Sequence, residues 1–234
     1  MNFDIKWNKE NYQKFLEYLD SLKDIEYKNF HAKLTKEDDL IGVKTPKLKS
    51  IAKDISKYNY QGFFKANTHK TYEERTIHGL VIGYLRNYDD TVFYLDRFFK
   101  YIDNWATCDL MCANLKMFKR NLDKGFIYIN DLLSSNDGWK IRVALVLLNN
   151  YYVNDKYIDK LFDIADNVSC EQYYVKMSVA WLISTCYVKY QDKTYNYLLN
   201  NKLDDWIFNK TIQKIKESKR VGEKEKQELS LLKR

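Results

Sequence analysis

DNWATCDLMCANL (residues 103–115) and SSNDGWKIRVALVLL (residues 134–148) decide how this chain folds. In the first stretch, Asp103 or Asn104 is an N-cap, since a short polar side chain there can take up free N–H groups of a helix. Trp105 and Asp109 follow, four residues apart and so on one helical face, while Leu110, Cys112 and Ala113 can serve a core. In the second stretch, Asn136, Asp137 and Gly138 begin another helix, which carries Trp139 and Arg142 into the apolar run VALVLL. Trp181 sits in a third such helix, within VAWLI. Asp109, Arg142 and Trp181 are separated by 33 and 39 residues, close to one helix pair. Stacked helix pairs would bring one carboxylate, one guanidinium and two indoles to the same side of the array. That set suits a nucleic-acid backbone better than a core. Taken singly, each has a plainer reading: Asp109 a surface or capping charge, Arg142 a salt-bridge partner, Trp181 a core residue.

The same periodicity extends outward. Phe15, Leu16, Leu19 and Leu22 mark a first helix capped by Asn8. Tyr27, Phe30, Ala32 and Leu34 mark a second, which ends in the polar loop Thr35 to Asp39. Thr45 reads as N-cap and Pro46 as N1 of a third, because proline is pre-set for a first helical turn and needs no N–H there. Helix pairs are expected at 74–88 with 92–102, 105–122 with 127–133, 139–152 with 155–165, 171–190 with 193–199, and 203–218 with 223–232. A repeat of about 35–40 residues with short polar joints predicts an all-α, HEAT-like helical-repeat solenoid. A compact helical bundle could share this spacing. No Pro-, Gly- or Ser-rich linker divides the chain, so residues 1–234 read as a single domain.

Composition agrees with helices. Seven glycines and one proline in 234 residues are too few turn formers for an all-β fold. With 45% hydrophobic and 30% charged residues the chain is globular. The 20 Tyr, 12 Phe and 5 Trp are read first as filling helix–helix cores. Formal net charge is +7, and residues 209–234 hold nine Lys/Arg against four Asp/Glu. That end could grip phosphate, or it is a solvated terminal helix pair. Cys108, Cys112, Cys170 and Cys186 make no disulfide framework at this length. Cys108 and Cys112 share a face, but two sulfurs are a poor zinc site, so no metal is expected. His31, His69 and His78 look scattered and suggest no triad or ligand cluster. The N-terminus lacks an apolar signal region, and the longest apolar run, Val143 to Leu148, is far too short to span a bilayer. A cytoplasmic protein without membrane attachment is expected.

The segments IGVKTPKLKSIAKDI (41–55), DNWATCDL (103–110), SSNDGWKIRVALVLL (134–148), YYVKMSVAWLIS (173–184) and NKLDDWIFNKTIQKI (201–215) together resemble the DNA alkylation repair proteins built from HEAT-like repeats, the family of AlkD glycosylases. They occur in the family's order and spacing and span most of the chain. The resemblance implies a concave basic groove that holds double-stranded DNA with alkylated bases. It also implies that a Trp-x-x-x-Asp pair, an Arg one repeat later and a Trp on the next line the lesion site. These fall on Trp105, Asp109, Arg142 and Trp181, and a groove-lining Tyr falls on Tyr27. The activity implied is hydrolysis of the N-glycosidic bond of N3- or N7-alkylpurines, without the base flipping usual for enzymes that act on bases, by a monomer needing no cofactor.

The chemistry is sound on first principles. An N3- or N7-alkylpurine already carries positive charge and leaves without a general acid. Positive charge then develops on the deoxyribose, where a carboxylate such as Asp109 stabilises it and orients water. Arg142 would clamp a phosphate, and Trp105 and Trp181 would pack on the sugar–phosphate face. The chain departs from the glycosylases where they carry Trp-x-x-Arg: here the last position is Ser184. A catalytically weak or inactive HEAT-like module that binds DNA or a protein is the competing expectation.

Overall fold

The computed structural model describes residues 1–169 and 171–234; Cys170 lies outside the described residues. Its described residues form helices and no strand. The helices are α1 (Lys9–Asp20), α2 (Ile25–Thr35), α3 (Thr45–Ile55), α4 (Tyr60–Ala66), α5 (Tyr72–Tyr84), α6 (Tyr88–Phe98), α7 (Trp105–Asn114), α8 (Lys116–Arg120), α9 (Leu122–Leu133), α10 (Gly138–Tyr151), α11 (Ile158–Asn167), α12 (Tyr173–Lys189), α13 (Gln191–Leu199), α14 (Asp205–Glu217) and α15 (Glu223–Ser230). None is long and apolar enough to cross a membrane. The chain forms two compact units, Met1–Arg120 and Asn121–Arg234.

The repeat is visible in the helix starts. α5, α7, α10, α12 and α14 begin at Tyr72, Trp105, Gly138, Tyr173 and Asp205, 32 to 35 residues apart. In the first unit α3 packs on α5 and α5 on α7. In the second, α9 packs on α10, α10 on α12 and α12 on α14. The intervening helices α6, α13 and α15 pack beside α5, α12 and α14. This serial packing is that of a helical-repeat solenoid. The inner helices α5, α10 and α12 are buried on most sides, as helices inside such a stack are, and α5 buries charged residues as well as apolar ones.

Caps fix where the repeats begin. Asn104 accepts the Thr107 N–H and Asp137 the Trp139 N–H, as expected from their sequence. Thr71 and Glu74 form a reciprocal capping box at the head of α5. The core of the first unit is aromatic: Trp7, Phe15 and Phe63 meet edge to face with centroids 5.1–5.7 Å apart.

Three local expectations are corrected. Lys44, not Thr45, is the N-cap of α3 and makes no capping bond; the Thr45 hydroxyl is bonded to that of Tyr27, at 3.2 Å. The helix expected over 105–122 breaks at Leu115, where α7 ends and α8 begins. The break is held by Asn114, whose amide donates to the Leu80 carbonyl of α5 at 2.9 Å. Gly83 allows this approach, since a Cβ there would fall 2.7–2.9 Å from Asn114 atoms, backbone included. Finally, α4 is a helix between α3 and the expected helix pairs, where no element was expected.

Candidate functional site

In the first unit, the head of α7 carries Trp105 and Asp109. Both are half-buried, one turn apart on one face, and Trp105 packs against the core of its unit. What sets this helix start is a buried cation. Arg75 of α5, 5% exposed, donates to Asp39 at 2.7 and 3.1 Å and to Glu37 at 3.2 Å. Its Nε faces Asp103 across 3.1 Å as an ion pair. Asp103 in turn accepts from the Asn104 amide at 2.9 Å, so the cap of α7 is anchored to α5 and to the 37–39 loop. Burial, together with the neighbouring carboxylates Asp103 and Asp39, holds the Glu37 carboxyl above its usual range.

Tyr27 lies in the first turn of α2, its N–H capped by Asp24 and its ring edge-on to His31. Its hydroxyl meets Thr45 at the head of α3. The segment before α3 is held by Glu73 of α5, which is fully buried. Glu73 accepts the N–H groups of Ile41 at 2.9 Å, Gly42 at 2.7 Å and Val43 at 3.1 Å. Gly42 sits at φ +105°, a conformation open to glycine, with the Asp24 carbonyl 2.8 Å from where a Cβ would stand.

In the second unit, Arg142 of α10 is 5% exposed and donates from Nη1 to the Tyr174 carbonyl of α12 at 2.5 Å. Its guanidinium carbon lies 5.7 Å from the centre of the Tyr174 ring. Trp139 stacks on the same ring with centroids 5.5 Å apart and planes inclined by 26°. Tyr173 adjoins Tyr174 and turns its edge to Trp206 of α14 at 5.7 Å, and Lys210 sits over Trp206. Trp181 is two turns along α12 from Tyr174 and is exposed. Ser184 is nearly buried, and its hydroxyl donates to the Trp181 carbonyl of its own helix.

Arg142 and Trp181 thus stand on adjacent packed helices of one unit, and Tyr27, Trp105 and Asp109 belong to the other. Trp139, Tyr173, Tyr174 and Trp206 form an aromatic row that sequence reasoning did not assign.

The three scattered histidines are corrected in part. His69 Nε2 and His78 Nδ1 lie 2.7 Å apart, with His69 stacked on Tyr101 and His78 on Phe64. Burial lowers His69 to about 4 and His78 well below the usual range. A neutral pair enclosed by rings is a structural clasp between the 67–71 loop and α5. Cys108, Cys112 and Cys186 are buried thiols, and burial pushes Cys186 up to about 12. No group of three potential metal ligands occurs among the described residues. The basic C-terminal end is a solvated helix pair: Lys214 pairs with Glu217, Lys226 with Glu223 and Arg234 with Asp205.

Residues 12–215 match the family described as DNA alkylation repair enzyme. The chain belongs to that family. Every residue of the candidate set falls inside the matched stretch, as do both the Glu73-held segment and the aromatic row. No curated protein matches the chain. Membership in the DNA alkylation repair enzymes makes DNA its partner.

Proposed function

We propose that this DNA alkylation repair enzyme is a glycosylase that hydrolyses the N-glycosidic bond of N3- and N7-alkylated purines in duplex DNA. The observation that carries the reading is the Trp105–Asp109 pair, one turn apart and half-buried on a single helix inside the family's matched stretch. The cationic base leaves without protonation. Asp109 faces the charge that grows on the deoxyribose and orients the water that attacks its anomeric carbon. In the first unit Trp105 packs on the sugar–phosphate backbone and Tyr27 contacts the DNA; in the second, Trp181 packs on the backbone and Arg142 directs its charge to a phosphate. The base stays in the duplex, and the protein works as a monomer in the cytoplasm.

The His69–His78 clasp fits a mechanism that needs no general acid, because burial keeps both rings neutral at pH 7. The decisive measurement is release of 7-methylguanine or 3-methyladenine from methylated duplex DNA. Asp109→Asn is expected to lower release by about 100-fold or more. No release by the wild type, at low salt and with protein in excess, overturns the proposal.

Ser184 favours a second reading, a non-catalytic DNA-binding module. Where the glycosylases carry an arginine, this chain turns a small hydroxyl back onto its own helix. On that reading duplex binding is unchanged in Asp109→Asn and no base is released by either protein.

A further inference from the structure

The first unit holds a cavity of about 690 Å³ past the C-terminal end of α7. α7 is ten residues long, so Trp105 at its head lies about 15 Å along the helix axis from this end. Five cations line the cavity: Lys53 and Lys57 from α3 and the turn after it, Arg86 from the α5–α6 joint, and Lys116 and Arg120 from α8. Asp90 is the single carboxylate among the lining residues. Lys57 is paired with Asp54 at 2.7 Å. Lys53, Arg86, Lys116 and Arg120 form no ion pair with any described residue.

Helix ends account for part of this charge. Lys53 and Arg120 sit in the last turns of α3 and α8, where the helix dipole favours a cation. Lys116 opens α8, where the dipole disfavours one, and Arg86 lies beyond the end of α5. Lys116 and Arg120 are four apart on one helical face, an arrangement in which like charges repel. The break at Leu115 brings that face to the cavity. Folding alone does not reward such a concentration of positive charge. Half-buried Tyr60 and Tyr84 supply flat apolar wall beside it, and Tyr60 is braced edge-on by Phe64 and Tyr94 at 5.8 Å.

We propose that this cavity binds the phosphate of a nucleotide-sized ligand, with the four unpaired cations on the phosphoryl oxygens and the two tyrosines flanking the remainder. Its volume is that of a small-molecule site. The phosphate belongs either to a free nucleotide or to a nucleic-acid strand. The proposal does not rest on the glycosylase reading, since the cavity contains none of Tyr27, Trp105 or Asp109.

The test is titration calorimetry with inorganic pyrophosphate, deoxyadenosine monophosphate and a 12-base-pair unmodified duplex. Wild type is compared with Lys116→Gln/Arg120→Gln, with Lys53→Gln, and with Lys224→Gln/Lys233→Gln, which removes equal charge from the C-terminal end. Circular dichroism and melting establish that each variant is folded. Pyrophosphate and deoxyadenosine monophosphate binding one to one, weakened at least tenfold in the α8 variant and also weakened by Lys53→Gln, identifies a free phosphorylated ligand. Weakening confined to the duplex identifies strand phosphates as the source. Affinities for all three probes that the cavity variants leave unchanged, or that the Lys224/Lys233 control lowers as much, overturn the proposal. Base release by the wild type is measured in parallel, so failure here and failure of the glycosylase reading are separate results.

Discussion

Glu73 Oε1 accepts the N–H of Gly42 at 2.7 Å, and through that bond α5 holds the turn that leads into α3. With Ile41 and Val43 also donating to it, this buried carboxylate gathers three consecutive backbone donors. Glu73→Ala leaves all three without a partner and is expected to destabilise the first unit by about 3 kcal/mol. Gly42→Ala meets the Asp24 carbonyl at 2.8 Å in a left-handed conformation and is expected to cost about 1–3 kcal/mol. Urea unfolding of both variants checks this. Loss below 0.5 kcal/mol in Glu73→Ala would show that the segment relaxes onto water instead.

Arg75 is the second such anchor. Removing it leaves Glu37, Asp39 and Asp103 facing one another around a vacated, largely buried position. Arg75→Ala is therefore expected to destabilise by about 3–5 kcal/mol, and Arg75→Lys by less, since lysine keeps the charge but not the fork. Because Asp103 adjoins the cap of α7, base release should fall in Arg75→Lys even where the variant is fully folded. Equal release by folded Arg75→Lys and wild type would separate the anchor from the site.

Much of this was legible in sequence, and the reason is local. Caps at Asn104 and Asp137 and the apolar period of α10 and α12 are short-range signals, so the helix pairs and their spacing follow from them. Trp105, Asp109, Arg142 and Trp181 were grouped by their spacing and given roles by family resemblance, and each lies on a helix. What escaped depends on contacts distant in sequence. The break at Leu115 needs Asn114 on Leu80, 34 residues back. The clamp on Gly42 needs Glu73, 31 residues on. The His69–His78 contact is near in sequence but depends on the left-handed turn at His69, φ 56°, which residue type does not announce.

That histidine pair makes stability fall in acid. Above pH 6.5 both rings are neutral in the folded and the unfolded chain, so they contribute no slope. Below it the unfolded chain takes up protons, while burial keeps the folded pair neutral until about pH 4 for His69 and lower for His78. Around His69, Glu74 opposes this lowering, and Arg75 and Lys100 reinforce it. Stability is thus expected to drop as pH falls from about 6.5 to about 4. His78→Phe removes one titrating ring and should flatten the melting temperature against pH between 6.5 and 4.5. An unchanged slope in that variant would assign the acid sensitivity to other groups.

Arg142 separates two roles that the same side chain can play. Its bond to the Tyr174 carbonyl ties α10 to the head of α12, and its charge is the one proposed to meet a phosphate. Arg142→Gln should lose about 1.5–3 kcal/mol of stability through the first role, the range for hydrogen bonds to a charged group. Through the second it should lower the slope of log K against log salt for duplex DNA by about 0.9, the value for one neutralised phosphate. Arg142→Lys keeps a positive charge but has no planar group to lie over Tyr174, so it should retain most of the salt slope while losing stability. Filter binding at four salt concentrations, with urea unfolding of the same preparations, measures both. Stability lost with an unaltered salt slope in Arg142→Gln would confine Arg142 to bracing Tyr174.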